Sequence, residues 1–393
     1  MIENVTQPQT GISHKVQRIF GLDLMRACSI LMVFLAHSIP INPFANLFPF
    51  DYLFIGVEAF FVLSGLLIGR IILNTIFRPR ISWRSIRSFW VNRWLRTFPA
   101  YLLTFAIHYY IYSPSPNRLF YLIFVQNIVT PPPGFFPHSW SLAVEEWFYL
   151  LFPCLLLAAA YMLGNYQNRH RIYLTGIVFV ILLGLLAKLG YHLLYSQHFI
   201  PYLLENKMLF PGWKVFDSPA GNWDNMRKMV PFRIDSIAYG CLIAYILEKY
   251  SLSQKTRVWL LVAGIIGIVC CFPIIKHTIA QGKANFFTDV FLLPFCCCSF
   301  ALMLPYAVSC PRPGKWAVKL VTTISLTSYS FYLIHVLILE RAINLYQNNS
   351  TEAFAPKWAV FAGAYGIIYL VSLLMYNLVE LPFMNYRKKL SPN

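Results

Sequence analysis

Ten mostly apolar stretches follow one another along this chain, at 22–40, 51–73, 98–113, 141–163, 172–195, 232–250, 258–276, 286–308, 321–340 and 357–380. About 20 apolar residues in a helix cross the hydrocarbon layer of a bilayer. Inside that layer no water bonds the backbone N–H and C=O groups, so each run must satisfy its own by winding into a helix. The expected fold is all-α, a polytopic membrane protein built as a bundle of about ten transmembrane helices. Composition agrees, with 58% hydrophobic and 12% charged residues, against about 25% charged in soluble domains.

A net charge of +17 suggests a nucleic-acid partner only where the basic residues form a patch. Here they cluster in the short even-numbered connections between runs. These hold Arg78, Arg80, Arg84, Arg87, Arg93 and Arg96, then Arg169 and Arg171, then Lys249, Lys255 and Arg257, then Arg312, Lys315 and Lys319. This is the positive-inside pattern, so both termini are expected in the cytoplasm and no nucleic acid is expected as a partner. Residues 1–20 read as a cytoplasmic tail, with Lys15 and Arg18 before an uncleaved first run. Residues 21–382 read as one membrane domain and 383–393 as a second cytoplasmic tail carrying Arg387, Lys388 and Lys389. The stretch near 119–134 is apolar but too short to cross and is stopped by Pro131, Pro132 and Pro133, so it is expected as a re-entrant or interfacial hairpin. The connection 196–231, rich in Trp, Asp and Asn, is the largest external feature and a candidate lid. Nine cysteines, mostly inside the runs, form neither a disulfide framework nor a metal-ligand spacing, and no metal is expected.

Polar groups inside such runs are costly and by default mark a pathway or a reaction site. Arg26 and His37 stand eleven positions apart in the first run, which puts them on one helix face about 16 Å apart along the axis. Asp23 accompanies them. Glu58 and Ser64 lie in the second run, Trp140, Ser141, Glu145 and Glu146 at the start of the fourth, Arg233 and Asp235 at the start of the sixth, and Tyr332 and His335 in the ninth. Faces carrying such groups turn inward, so these side chains are expected to line one shared cavity. Arg233 has Asp235 or a cavity carboxylate as its candidate partner. The imidazole of His37 titrates near neutral pH and is the natural base. Simpler readings stand beside these: interior packing for Ser64, membrane-topology charge for Arg93 and Arg96, interfacial anchoring for Trp140.

Several segments together resemble the acyltransferase-3 family of integral membrane acyltransferases. GLDLMRACSILMVFLAH is similar to the family's opening helix, GVEAFFVLSGLLI to its second, and FWVNRWLRTFPAYLL to the basic turn that follows. WSLAVEEWFYLLFP resembles its Trp-Ser-Leu-x-x-Glu-Glu segment, SYSFYLIH its ninth helix and VELPF its last-helix ending. The resemblance runs from Gly21 to Pro382, with Glu58 where an aspartate is usual, Leu24 where glycine is common and Asn92 where a second arginine is common.

The resemblance implies transfer of an acyl group, most simply acetyl, from cytoplasmic acyl-CoA to a hydroxyl of a cell-surface glycan or its lipid-linked precursor. The setting it implies is a bacterial inner membrane, with membrane lipids as neighbours, acyl-CoA as a substrate and no resident cofactor. It implies His37 as general base and Glu145 beside it, orienting His37, stabilising its protonated form or holding acceptor hydroxyls. Arg26, Arg93 and Arg96 would bind the acyl donor. Asp23, Glu58, Ser64, Trp140, Ser141, Glu146, Arg233, Tyr332 and His335 would line the cavity or hold the acceptor. It also implies that the external hydrolase-like domain of some relatives is absent after the tenth run. A transporter using the same charges is the alternative, and it predicts repeated halves with broken helices, for which this sequence has no internal repeat.

Overall fold

A computed structural model describes residues 18–48, 50–76, 82–112, 116–129, 134–162, 169–196, 219–276, 285–348 and 356–390. Among these residues the fold is helical throughout: α1 (Phe20–His37), α2 (Gly56–Ile71), α3 (Trp83–Ile111), α4 (Trp140–Met162), α5 (Arg169–Ser196), α6 (Pro219–Met226), α7 (Asp235–Lys249), α8 (Gln254–Ile274), α9 (Phe286–Val290), α10 (Leu292–Ser309), α11 (Lys315–Asn348), α12 (Lys357–Met375) and α13 (Leu381–Leu390). Nine helical segments among the described residues are long and apolar enough to cross a membrane. The third expected run lies in the second half of α3, whose first half carries Arg84, Arg87, Arg93 and Arg96. Arg78, Arg80, most of the N-terminal tail and residues 197–218 of the candidate lid lie outside the described residues.

Local chemistry explains where helices depart from the apolar runs. The run 286–308 is divided into α9 and α10 at Phe291. Asn285 caps α9 reciprocally: its side chain accepts from the Thr288 N–H at 3.2 Å, and the Asn285 N–H donates to Thr288 Oγ1 at 2.7 Å. At the other extreme α11 has 34 residues, about 51 Å at 1.5 Å per residue. It overshoots a hydrocarbon layer of about 30 Å, and Trp316 near its start is 83% exposed. Among the described residues the 119–134 stretch contributes to a short 3-10 helix, Pro116–Ile123, and to none of the segments long enough to cross a membrane. Buried Asn127 ties that hairpin to the bundle, its Nδ2 donating to the carbonyls of Trp140 at 3.0 Å and Lys228 at 2.7 Å.

The centre of the bundle is α2. Its membrane window is 78% buried, against 17% for α8 and 22% for the α12–α13 arm, which form the lipid-facing rim. Small residues let α2 and α7 approach closely, as in other membrane helix pairs. A Cβ on Gly65 would collide with the backbone carbonyl of Ile237, and one on Gly240 with that of Val62. Backbone atoms cannot swing aside, so overpacking of this kind costs about 1–3 kcal/mol. Gly65→Val is therefore expected to lower the thermal midpoint of the purified protein. Gly363→Ala, where a Cβ meets nothing within 4 Å, is the matched control and leaves it unchanged.

Two buried ion pairs clamp the same region. Lys188 of α5 donates to Asp235 of α7 at 2.7 Å. Arg233, just before α7, is paired with Glu58 of α2, whose carboxylate also receives the Cys297 thiol at 3.2 Å.

Candidate functional site

A cleft with about 1110 Å³ of atom-free space, partly open to the exterior, lies among α1, α2, α3, α4, α11 and the wide turn Tyr376–Glu380 before α13. Of the residues singled out in the sequence it gathers Arg26, Ser64, Arg93, Arg96, Ser141, Glu145, Glu146 and Tyr332.

Each basic group is presented differently. Arg26 reaches Ser325 Oγ at 3.3 Å and Asp23 at 3.7 Å. Asp23 stands behind it, buried, accepting from Arg18 at 2.6 Å and from the Ser325 hydroxyl at 2.8 Å. Arg93 is held by one carboxylate and one ring: it bonds Glu145 at 2.8 Å, and its guanidinium lies 3.8 Å from the Tyr149 ring centroid. Arg96, one turn further along α3, is exposed to the cleft and makes no hydrogen bond or ion pair among the described residues. An exposed guanidinium with planar donors is suited to a carboxylate or phosphate.

The carboxylates are committed to protein partners. Glu145 accepts from Arg93, from Ser64 Oγ at 3.1 Å and from the Tyr149 hydroxyl at 2.9 Å. Glu146 accepts from Trp94 Nε1 at 3.1 Å and Thr97 Oγ1 at 3.4 Å. Glu145 therefore fixes Arg93, a partner not among the roles expected of it, which were to orient His37, to stabilise its protonated form or to hold acceptor hydroxyls. The two neighbours point about 100° apart on α4, which lets one serve Arg93 and the other the indole of Trp94.

The single shared cavity expected from the sequence is divided. His37 and His335 do not line the cleft. Tyr332 closes that end: its hydroxyl is 2.6 Å from Ser141 Oγ and donates to the His138 carbonyl at 3.0 Å. Its ring packs on His335 at 5.5 Å between centroids, and His335 packs on His37 at 5.1 Å. His37 is exposed at the C-terminal end of α1, two ring contacts beyond the cleft. Its Nδ1–H donates to the Val33 carbonyl at 2.8 Å, which leaves Nε2 as the lone-pair nitrogen.

Asp224, Arg227 and Lys228, at and just beyond the end of α6, are its charged neighbours. Burial there would raise the Asp224 carboxyl, but Arg227, bonded at 2.7 Å, and Lys228 outweigh it and hold the group down at about 2. Asp224 thus keeps its negative charge throughout the physiological range.

Three further residues singled out in the sequence stand apart. Glu58 and Arg233 are buried against each other, 1% and 0% exposed. Trp140 is buried against Phe61 at 6.1 Å, which makes it a core side chain and not an exposed face for a sugar. All three are enclosed because α2 and the start of α7 lie at the bundle centre.

The structure also adds residues that were not singled out. Ser325, Thr97, Tyr329 and Glu380 line the cleft. A polar serine or threonine in a long helix carries little signal by itself, whereas Glu380, in the VELPF segment, is an acidic residue at the end of an apolar run. His138 was passed over too. Its ring lies 5.3 Å from that of His335, and among the described residues the two leave Nδ1 and Nε2 respectively buried without a partner.

Comparison with known proteins now adds to this geometry. A family model described as an acyltransferase domain, Acyl_transf_3, matches residues 19–377. The chain is similar to the O-acetyltransferase OatA of Staphylococcus aureus, strains NCTC 8325 / PS 47 and COL, at 24% identity over 396 residues in each case. That alignment takes in 94% of this chain and 57% of the relative, so the chain spans little more than half the length of the curated relatives it matches. No solved structure matches it.

Proposed function

The chain belongs to the acyltransferase-3 family of membrane acyltransferases, and from that premise we propose that it moves an acyl group, most simply acetyl, from cytoplasmic acyl-CoA to a hydroxyl of a cell-surface glycan or its lipid-linked precursor. The observation that carries this reading is the placement of opposite tools at the two ends of α1. Arg26 sits in an arginine-lined cleft, and an exposed imidazole, His37, ends the same helix.

The acyl donor enters the cleft, where Arg96 takes a phosphate and Arg26 a carbonyl or phosphate of CoA. Glu145, through Arg93, fixes the charge that meets the thioester end. The acceptor comes from the other side, past the rim of Arg227 and Lys228. The lone pair on His37 Nε2 removes the hydroxyl proton as oxygen attacks the thioester carbon. The C–O bond forms, the C–S bond breaks, and the thiolate leaves into the basic cleft. In this reading the Tyr332 and Ser141 hydroxyls, at the boundary, steady the oxyanion once they turn from each other and from the His138 carbonyl. In this reading α1 runs outward, both termini are cytoplasmic, and the membrane is the bacterial cytoplasmic one. The O-acetyltransferase name of the S. aureus relatives supports acetyl as the group and oxygen as the nucleophile.

The test is direct. Membranes carrying the protein are given labelled acetyl-CoA and a polysaccharide acceptor, and the product is weighed by mass spectrometry. Arg96→Ala is expected to raise the KM for acetyl-CoA about 10- to 100-fold, since a charge-assisted hydrogen bond contributes about 1.5–3 kcal/mol. Turnover at saturation should stay near wild type. An unaltered KM would remove Arg96 from the binding of the acyl donor.

A further inference from the structure

We propose that a side pocket opening off the cleft receives the hydrocarbon tail of the acyl group, so that this protein handles acyl chains longer than acetyl. The inference rests on the acyl-transfer reading above. The pocket lies between α3, α4 and the hairpin before α4, is partly open to the exterior with about 790 Å³ of atom-free space that includes that opening, and is lined by Trp94, Leu122, Ile123, Trp147 and Leu150. It shares three walls with the cleft: Phe98, Phe124 and Glu146. A carbon chain attached to a thioester in the cleft could therefore pass between these shared side chains into the pocket. The one carboxylate among them is turned to α3 by its bonds to Trp94 and Thr97, which leaves its methylene stem for the tail.

The shared wall carries a second, independent mark. Phe124 has φ 56° and is the one non-glycine residue with positive φ among those described. For a bulky side chain that conformation is a true outlier, and such strain persists only where the surroundings over-determine it. Here they do. Trp147 Nε1, from the pocket wall, donates to the Phe124 carbonyl at 2.9 Å. On the other side the Phe124 ring packs on Tyr101 at 4.7 Å and on Phe98 at 6.3 Å. The ring is thus held between cleft and pocket as a partition, built from an uncomfortable residue at the place where a chain must pass.

The pocket is lined almost wholly by carbon, so binding should strengthen with tail length. Each buried methylene contributes about 0.8 kcal/mol, up to about fourfold in affinity, until the pocket is full. The thioester carbonyl stays in the cleft and the bond changes are those already described.

The experiment gives the full chain, in native membranes, a series of straight-chain acyl-CoAs from acetyl to octanoyl, with products weighed by mass spectrometry. Wild type is expected to transfer butyryl and hexanoyl groups, with KM falling as the tail lengthens. Leu150→Trp, which fills the pocket, should lower the octanoyl-to-acetyl rate ratio at least tenfold. Phe124→Gly, which removes the partition and suits positive φ, should raise it. Transfer of acetyl alone, with longer acyl-CoAs neither used nor inhibitory, overturns the inference and leaves the acyl-transfer reading standing. Equal slowing of every chain length by Leu150→Trp also overturns it, and makes the pocket a seat for a membrane lipid. Failure to transfer any acyl group overturns the reading itself and the pocket assignment with it.

Discussion

Replacing His37 with alanine is expected to lower the turnover of acyl transfer about 100- to 10000-fold, the usual contribution of a positioned general base, and to leave acetyl-CoA binding unchanged. The separation follows from the geometry. His37 does not line the arginine cleft, so its removal takes nothing from the groups that would hold CoA. Its Nδ1–H is spent on the Val33 carbonyl, so the lone pair on Nε2 faces whatever enters from the rim. The ring is exposed, so truncation leaves no cavity, and the thermal midpoint should stay at the wild-type value. A glutamine at the same place could donate and accept hydrogen bonds but could not carry the proton, and it should be as inactive as alanine. The check is steady-state kinetics of His37→Ala and His37→Gln beside wild type, with acetyl-CoA and acceptor varied separately. A turnover within tenfold of wild type in either variant would remove the base assignment. A large rise in the KM for acetyl-CoA would instead place the imidazole on the acyl donor.

The helical framework was legible because a single requirement governs it: a segment in lipid must be apolar for about 20 residues and must satisfy its own backbone. What interrupts a run is less visible. The break at Phe291 falls just before Pro294, which has no N–H to give to the Val290 carbonyl, and α11 extends past its apolar run on both sides because polar residues continue a helix as readily in water. Site residues were legible as a set, since an arginine, histidine or glutamate in such a run stands out. Their partners were not. Glu145 was expected to orient His37, stabilise its protonated form or hold acceptor hydroxyls, and its bond to Arg93, 52 positions earlier, depends on how α3 lies against α4, which no local pattern shows. Tyr332 was seen as a lining group, and nothing in its spacing showed that it would cap the cleft and leave His37 on the far side. Lys188 shows a different kind of miss. A lysine inside a lipid-crossing run is conspicuous by the same cost argument, and its buried bond to Asp235 was open to the question of where its charge would go.

That cost also governs the remaining prediction. Glu58 and Arg233 are buried at the bundle centre, away from the cleft. Among the described residues Arg233 Nε and Nη1 have no partner, so the pair is not perfectly satisfied. Removing one member strands the other charge in the buried centre of the bundle, at a cost of about 3–5 kcal/mol. Glu58→Gln and Arg233→Met are each expected to lower the thermal midpoint sharply and to reduce the amount of protein recovered in the membrane. Replacing both charges with apolar side chains, Glu58→Leu with Arg233→Met, removes the stranded charge and should recover most of the loss, because an apolar substitute is often as stable as the ion pair itself. The thermal midpoints of the two single variants and the double variant give the coupling directly. Additive losses would mean that the two side chains act separately. Transfer activity distinguishes a clamp from a working part: a structural pair predicts that the double variant, once folded, acylates at nearly the wild-type rate. A folded but inactive double variant would move Glu58 and Arg233 into the transfer machinery, and would mean that the path between cleft and rim runs through the centre of the bundle instead of past Tyr332.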